Sequence, residues 1–113
     1  MAKGNAKPKQ QKQRKRPSDF LPRKLDYTSS FSKSWEKYNK TGEVDLSQVR
    51  DVCKYFVSRE PLPAHYKDHE LKGNKWKEHR ELHLDGDLLL VYKRYDDKNL
   101  VVLVELGTHA ELF

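Results

Sequence analysis

The chain has 113 residues, with 23 Lys and Arg against 17 Asp and Glu, a formal charge of +6. That length allows one domain with a small core and excludes a second. A single cysteine, Cys53, excludes an intrachain disulfide and reads as a small buried hydrophobe in a reducing compartment.

The charge is uneven. Residues 1–24 carry nine Lys and Arg against Asp19 alone, a local charge of +8, so the remaining 89 residues are acidic by two. This stretch holds Pro8, Pro17 and Pro22 and almost no large apolar side chain before Phe20. It cannot offset its ordering entropy by burial and is expected to be a disordered basic tail, suited to tethering on ribosomal RNA. It lacks the apolar core of a secretory signal, and no run reaches the roughly 20 apolar residues that span a bilayer. A cytoplasmic protein with no membrane partner is expected.

Residues 25–113 read as the folded domain. Leu25 to Ser29 is expected to form a short strand, with Ser29 or Ser30 capping a helix that begins near Phe31 and presents Phe31, Trp35 and Tyr38 at helical spacing. Thr41 and Gly42 end it. Asp45 can cap a second helix whose face is marked by Leu46, Val49, Val52, Cys53, Phe56 and Val57. Pro61 and Pro63 close the helical region, and His65 to Lys77 reads as a surface loop.

From Arg80 the pattern turns β-like. Arg80 to Leu84 alternates, Asp85 and Gly86 make a turn, and Leu88 to Tyr92 is a continuous apolar run. Asp96 to Asn99 makes the next turn, Leu100 to Leu106 another buried strand, and Gly107 to Phe113 a final short extended segment. The order β-α-α-β-β-β predicts an α+β fold, a small antiparallel sheet covered by an N-terminal helical hairpin.

Histidine exchanges protons near neutral pH, and His109 follows the last strand behind Gly107 and Thr108. If the strands pair, His69, Glu81, His83 and Asp87 can converge with it. The same residues offer zinc-type donors. Their separation, with no His pair one helical turn apart and no cysteine pair, predicts no metal and no other cofactor.

The runs LPAHYKDHELKG (62–73), Trp76, RELH (80–83), DLLLVYKR (87–94) and GTHAELF (107–113) closely resemble the YafQ branch of the RelE-like toxins. The resemblance implies a toxin of a bacterial type II toxin–antitoxin module, an endoribonuclease that cleaves mRNA in the ribosomal decoding site, with a cognate antitoxin, the ribosome and mRNA as partners. By matching motifs it points to His69, Glu81, His83, Asp87, His109 and Phe113.

RNA supplies its own nucleophile, the 2′-hydroxyl, so such an enzyme needs a base, an acid and positive charge, and no metal. His109 is the leading general acid under this reading. His83 with Asp87 forms the base or base-orienting pair, which His69 supports. Lys67, Lys72, Lys77 and Arg80 are expected on phosphates, and Phe113 on a base. One departure stands out: many relatives carry arginine two residues before the glycine of the last motif, and here that residue is Glu105. A carboxylate there repels RNA. Alternative functions are a non-catalytic ribosome- or RNA-binding protein on the same fold, or a metal-dependent nuclease.

Overall fold

The computed structural model describes residues 21–42 and 44–113, so most of the expected basic tail lies outside the described residues. Its elements are β1 (Lys24–Tyr27), α1 (Ser29–Thr41), α2 (Ser47–Ser58), β2 (His69–Glu70), β3 (His79–His83), β4 (Leu88–Tyr95), β5 (Leu100–Thr108) and α3 (His109–Leu112). Single 3-10 turns lie at Ala64–Tyr66, Asn74–Trp76 and Asp96–Lys98. Five strands form one sheet in the order β1-β5-β4-β3-β2.

The α+β architecture and the helical pair are as the sequence predicts, with three differences. The sheet is mixed, because β1 pairs parallel with β5, Lys24 opposite Leu100 and Tyr27 opposite Leu103. Within the expected loop, His69–Glu70 adds an edge strand antiparallel to β3, His69 opposite Glu81. Both are non-local pairings that no pattern within one segment reveals. The last segment closes into a helical turn because Thr108 and Glu111 form a capping box, each side chain meeting the other's backbone N–H.

Thr28, one residue before the expected serines, caps α1. Its hydroxyl oxygen accepts from the Phe31 N–H at 3.0 Å and its hydroxyl donates to the Val104 carbonyl at 2.6 Å. Val104 is the extra residue of a bulge, since Val91 faces Glu105 while Tyr92 faces Leu103. One side chain thus starts the helix and engages the irregular point of β5. Gly42 ends α1 at φ 66°, a left-handed conformation that favours glycine.

Alternation along the strands separates two faces. Leu82, Leu90, Tyr92, Val101, Leu103 and Leu106 pack with Phe31, Tyr38, Val52 and Phe56 of the helices into the core. Each such side chain contributes about 1.5–3 kcal/mol by leaving water. The other face carries His79, Glu81 and His83 of β3, Leu89, Val91 and Lys93 of β4, and Glu105 and Gly107 of β5. Among the described residues no helix is long and apolar enough to cross a membrane.

Candidate active site

On the face away from the helices, pairing of β2 with β3 sets His69 opposite Glu81, and strand alternation places His83 two residues further along. Glu81 is 5 % exposed, an unusual position for a carboxylate. Its Oε1 lies 3.5 Å from Nε2 of His69 and 3.5 Å from Nε2 of His83. Nδ1 of His69 is 2.8 Å from the Lys67 carbonyl, which only accepts, so Nδ1 carries a proton. Nε2 of a neutral His69 would then present a lone pair to a carboxylate. The contact becomes attractive when a second proton or another cation sits between them.

Donor atoms of His69, Glu81 and His83 all lie within 4.8 Å of one another. Separation along the chain is therefore no guide to separation in space here: the 14 positions from His69 to His83 are folded back by one strand pairing, which removes the spacing objection to a metal. Two imidazoles and a carboxylate suit zinc or copper.

Asp87 and His109 stand apart from that trio. Leu88 pairs with Thr108, so their neighbours Asp87 and His109 flank the same end of the sheet as His83. Among the described residues Asp87 is exposed in the turn and makes no hydrogen bond or ion pair with His83 or His109. His109 opens α3, and what holds it there is Glu111, a residue the sequence reading passed over. Glu111 accepts from the Tyr38 hydroxyl, from Lys37 Nζ at 2.7 Å and from the Thr108 N–H at 2.8 Å. Lys37 first, then Tyr38 and Thr108, hold its carboxyl well below the ordinary range, at about 2. The T-x-x-E signal for this cap was present in the sequence.

The expected RNA-contact residues divide. Lys67, Lys72 and Lys77 are exposed around the β2 edge. Arg80 is committed elsewhere: its guanidinium grips Asp68 at 2.9–3.2 Å, and Asp68 accepts from the Tyr92 hydroxyl at 2.6 Å. Asp68 raises the Arg80 pKa, while burial, followed by Asp68, pushes the Tyr92 hydroxyl well above its ordinary value. This network fastens the Tyr66–His69 segment to the sheet.

Phe113 packs on Trp76 at 5.5 Å between ring centroids and on His109 at 5.2 Å, and Trp76 meets the His79 ring edge-on at 5.5 Å. Trp76 and His79, neither of which the sequence singles out for catalysis or RNA contact, thus continue an aromatic row beside the histidine face. Lys93 was missed: it pairs across from His79 and so shares that face. Glu105 also lies on it, and its carboxylate accepts from the Ser30 hydroxyl at 2.6 Å.

A family model described as a bacterial toxin of type II toxin–antitoxin system, YafQ, matches residues 23–113. The mRNA interferase toxin YafQ of Escherichia coli K12 is 34 % identical over 95 residues, covering 83 % of this chain and 99 % of that protein. Among solved structures, a metal-bound toxin from Helicobacter pylori superposes with a TM-score of 0.72 at 39 % identity, covering 80 % of this chain and 98 % of the other. The E. coli DinJ–YafQ toxin–antitoxin complex gives 0.71 at 35 % identity, covering 82 % and 99 %. The chain belongs to the YafQ family of type II toxin–antitoxin toxins.

Proposed function

We propose that this toxin is an endoribonuclease that cleaves mRNA in the ribosomal decoding site by acid–base catalysis, in the cytoplasm, under control of a cognate antitoxin. The observation that carries the reading is the buried Glu81 carboxylate set between the Nε2 atoms of His69 and His83. A buried carboxylate fixes the orientation of both rings, the task of an orienting acid in proton-transfer sites. His83 Nδ1 has no partner among the described residues and is the nitrogen offered to the 2′-hydroxyl.

His109, at the same end of the sheet, protonates the leaving 5′-oxygen. Asp87 adds a negative charge at that end of the sheet without touching His83, and His69 supports the base through the Glu81 oxygen that both rings meet. Lys67, Lys72 and Lys77 contact phosphates, and Phe113, backed by Trp76, stacks on a base. Arg80 holds the loop through Asp68 and reaches RNA only indirectly. The antitoxin reading is supported by the relative solved in complex with one, E. coli YafQ with DinJ.

A second reading has its own observation. The trio of His69, Glu81 and His83 fits a transition-metal ion, and the related Helicobacter pylori toxin is metal-bound. These three residues would hold the ion, which would supply a Lewis acid beside the phosphate.

Cleavage of mRNA on stalled ribosomes, with 3′ ends read at nucleotide resolution, tests both. Cutting by the wild type in chelator, abolished in His109→Ala, supports the metal-free mechanism. Cutting that requires added metal supports the second reading. Ribosome binding without cutting leaves a non-catalytic binding protein.

A further inference from the structure

Two ties join helix α3 to the body of the fold. Glu111 is held by Lys37 and Tyr38 of α1. Leu112 lies against Gly107, where an added Cβ would come 3.2 Å from its side chain. Neither tie reaches the His109 ring. Among the described residues that ring makes no hydrogen bond, and the ring it packs on is Phe113, 5.2 Å between centroids. Phe113 is itself 46 % exposed, and its far support is Trp76 at 5.5 Å.

Trp76 stands on a loop whose backbone is fixed. The Trp76 N–H donates to the Gly73 carbonyl at 3.1 Å, and the Leu71 N–H donates to the His79 carbonyl at 3.0 Å, closing the loop at its base. The indole meets His79 edge-on at 5.5 Å, and Lys75 Nζ lies 5.0 Å from its ring centroid. His79 is pinned in turn, since its Nδ1 is 2.9 Å from the Lys77 carbonyl, which only accepts, so Nδ1 carries a proton. Groups on three sides leave the indole little rotamer freedom.

We propose that Trp76 is a positioning residue for the general acid: its indole fixes the Phe113 ring, and the Phe113 ring fixes the imidazole of His109. The proposal rests on the reading of His109 as the acid that protonates the leaving oxygen, and it adds a residue from a different loop to that step. A proton donor must stay within hydrogen-bond reach of the atom it serves, and a displacement of about 1 Å can cost about 10²-fold in rate. A helix of four residues cannot hold that tolerance alone. Tilted aromatic pairs have a preferred geometry, so a row of three rings transmits orientation from the fixed loop to the imidazole.

The test uses the full chain with Trp76→Ala, with Trp76→Leu, which keeps apolar volume under the loop, and with Trp76→Phe, which keeps a ring for Phe113 to pack on. The first readout needs no substrate: nuclear Overhauser contacts between the His109 and Phe113 rings, with contacts between β4 and β5 as the measure of folding. The ring contacts should weaken in Trp76→Ala and Trp76→Leu and return in Trp76→Phe, while the strand contacts stay. The second readout is single-turnover cleavage on mRNA-programmed ribosomes across a concentration series. Trp76→Ala should lower the saturated rate about 10- to 10²-fold with half-saturation unchanged, and Trp76→Phe should recover most of it. The double variant Trp76→Ala/His109→Ala should cut no more slowly than His109→Ala, because Trp76 acts through His109.

Full-strength ring contacts in folded Trp76→Ala and Trp76→Leu overturn the proposal. So does a loss confined to half-saturation, which would make the indole an RNA-stacking surface, or a further loss in the double variant. If Trp76→Ala loses its strand contacts, Trp76→Leu decides on the same spectra. A wild type that never cuts refutes the nuclease reading by itself, and the ring contacts still report whether Trp76 holds His109.

Discussion

The Tyr38 hydroxyl donates to the Glu111 carboxylate, joining the last turn of α1 to the single helical turn that carries His109. A helix of four residues has no stability of its own in water. Its position depends on this bond, on Lys37 and on the Thr108 cap.

Glu111→Gln should therefore lower cleavage by releasing His109 while leaving the sheet folded. The stability lost is about 1 kcal/mol, a cap and a charge-assisted hydrogen bond discounted for a carboxylate that is substantially exposed. The pH dependence has a definite sign. Because the folded pKa of about 2 lies below the ordinary 4.5, the stabilisation is complete above 4.5 and is lost as pH falls from there toward 2. Thermal melts at pH 6 and pH 3 should show a wild-type loss that Glu111→Gln lacks.

Glu81→Gln keeps the shape of the side chain and removes the charge between His69 and His83. Cleavage should fall about 10²-fold or more, as when an orienting carboxylate is neutralised. Melting should change little or rise, since an amide is easier to bury than a carboxylate. An unchanged single-turnover rate would remove Glu81 from the mechanism.

His83→Ala and His109→Ala should each cost about 10²- to 10⁴-fold in cleavage with ribosome affinity preserved. Their double variant should lose less than the product of the single losses if the two act as one acid–base unit. Single-turnover rates on programmed ribosomes distinguish the two cases.

Arg80→Gln strands Asp68 beside Tyr92. The expected cost is about 1–3 kcal/mol, below that of a fully buried pair because both partners keep some solvent exposure. Urea denaturation measures it. The salt dependence of RNA binding should not change, whereas a flattened slope would return Arg80 to the phosphate-contact role that the sequence suggested.

Glu105→Arg replaces a carboxylate on the histidine face with the arginine that the family resemblance leads one to expect there. Among the described residues it breaks only the hydrogen bond from the exposed Ser30 hydroxyl, a loss of about 1 kcal/mol or less. Cleavage should rise about tenfold or more if a cation then faces the transition-state charge.

Much of the molecule was legible in the chain. Apolar spacing from Phe31 to Tyr38 and from Val49 to Phe56 marks two helices, and Leu88–Tyr92 and Leu100–Leu106 mark the central strands, because each burial pattern is written within one segment. The motifs likewise brought out His69, Glu81, His83, Asp87 and His109. What the tertiary structure decided is which of them meet. Glu81 alternates onto the histidine face only because β3 pairs with β4 in one register, and His69 reaches it only because an edge strand forms inside an apparent loop. Arg80, one residue away, falls on the other face, where its guanidinium meets Asp68. Register is a relation between distant segments, with a period of two, so a shift of one residue would exchange those roles. Local pattern chose the residues, and strand pairing assigned them their partners.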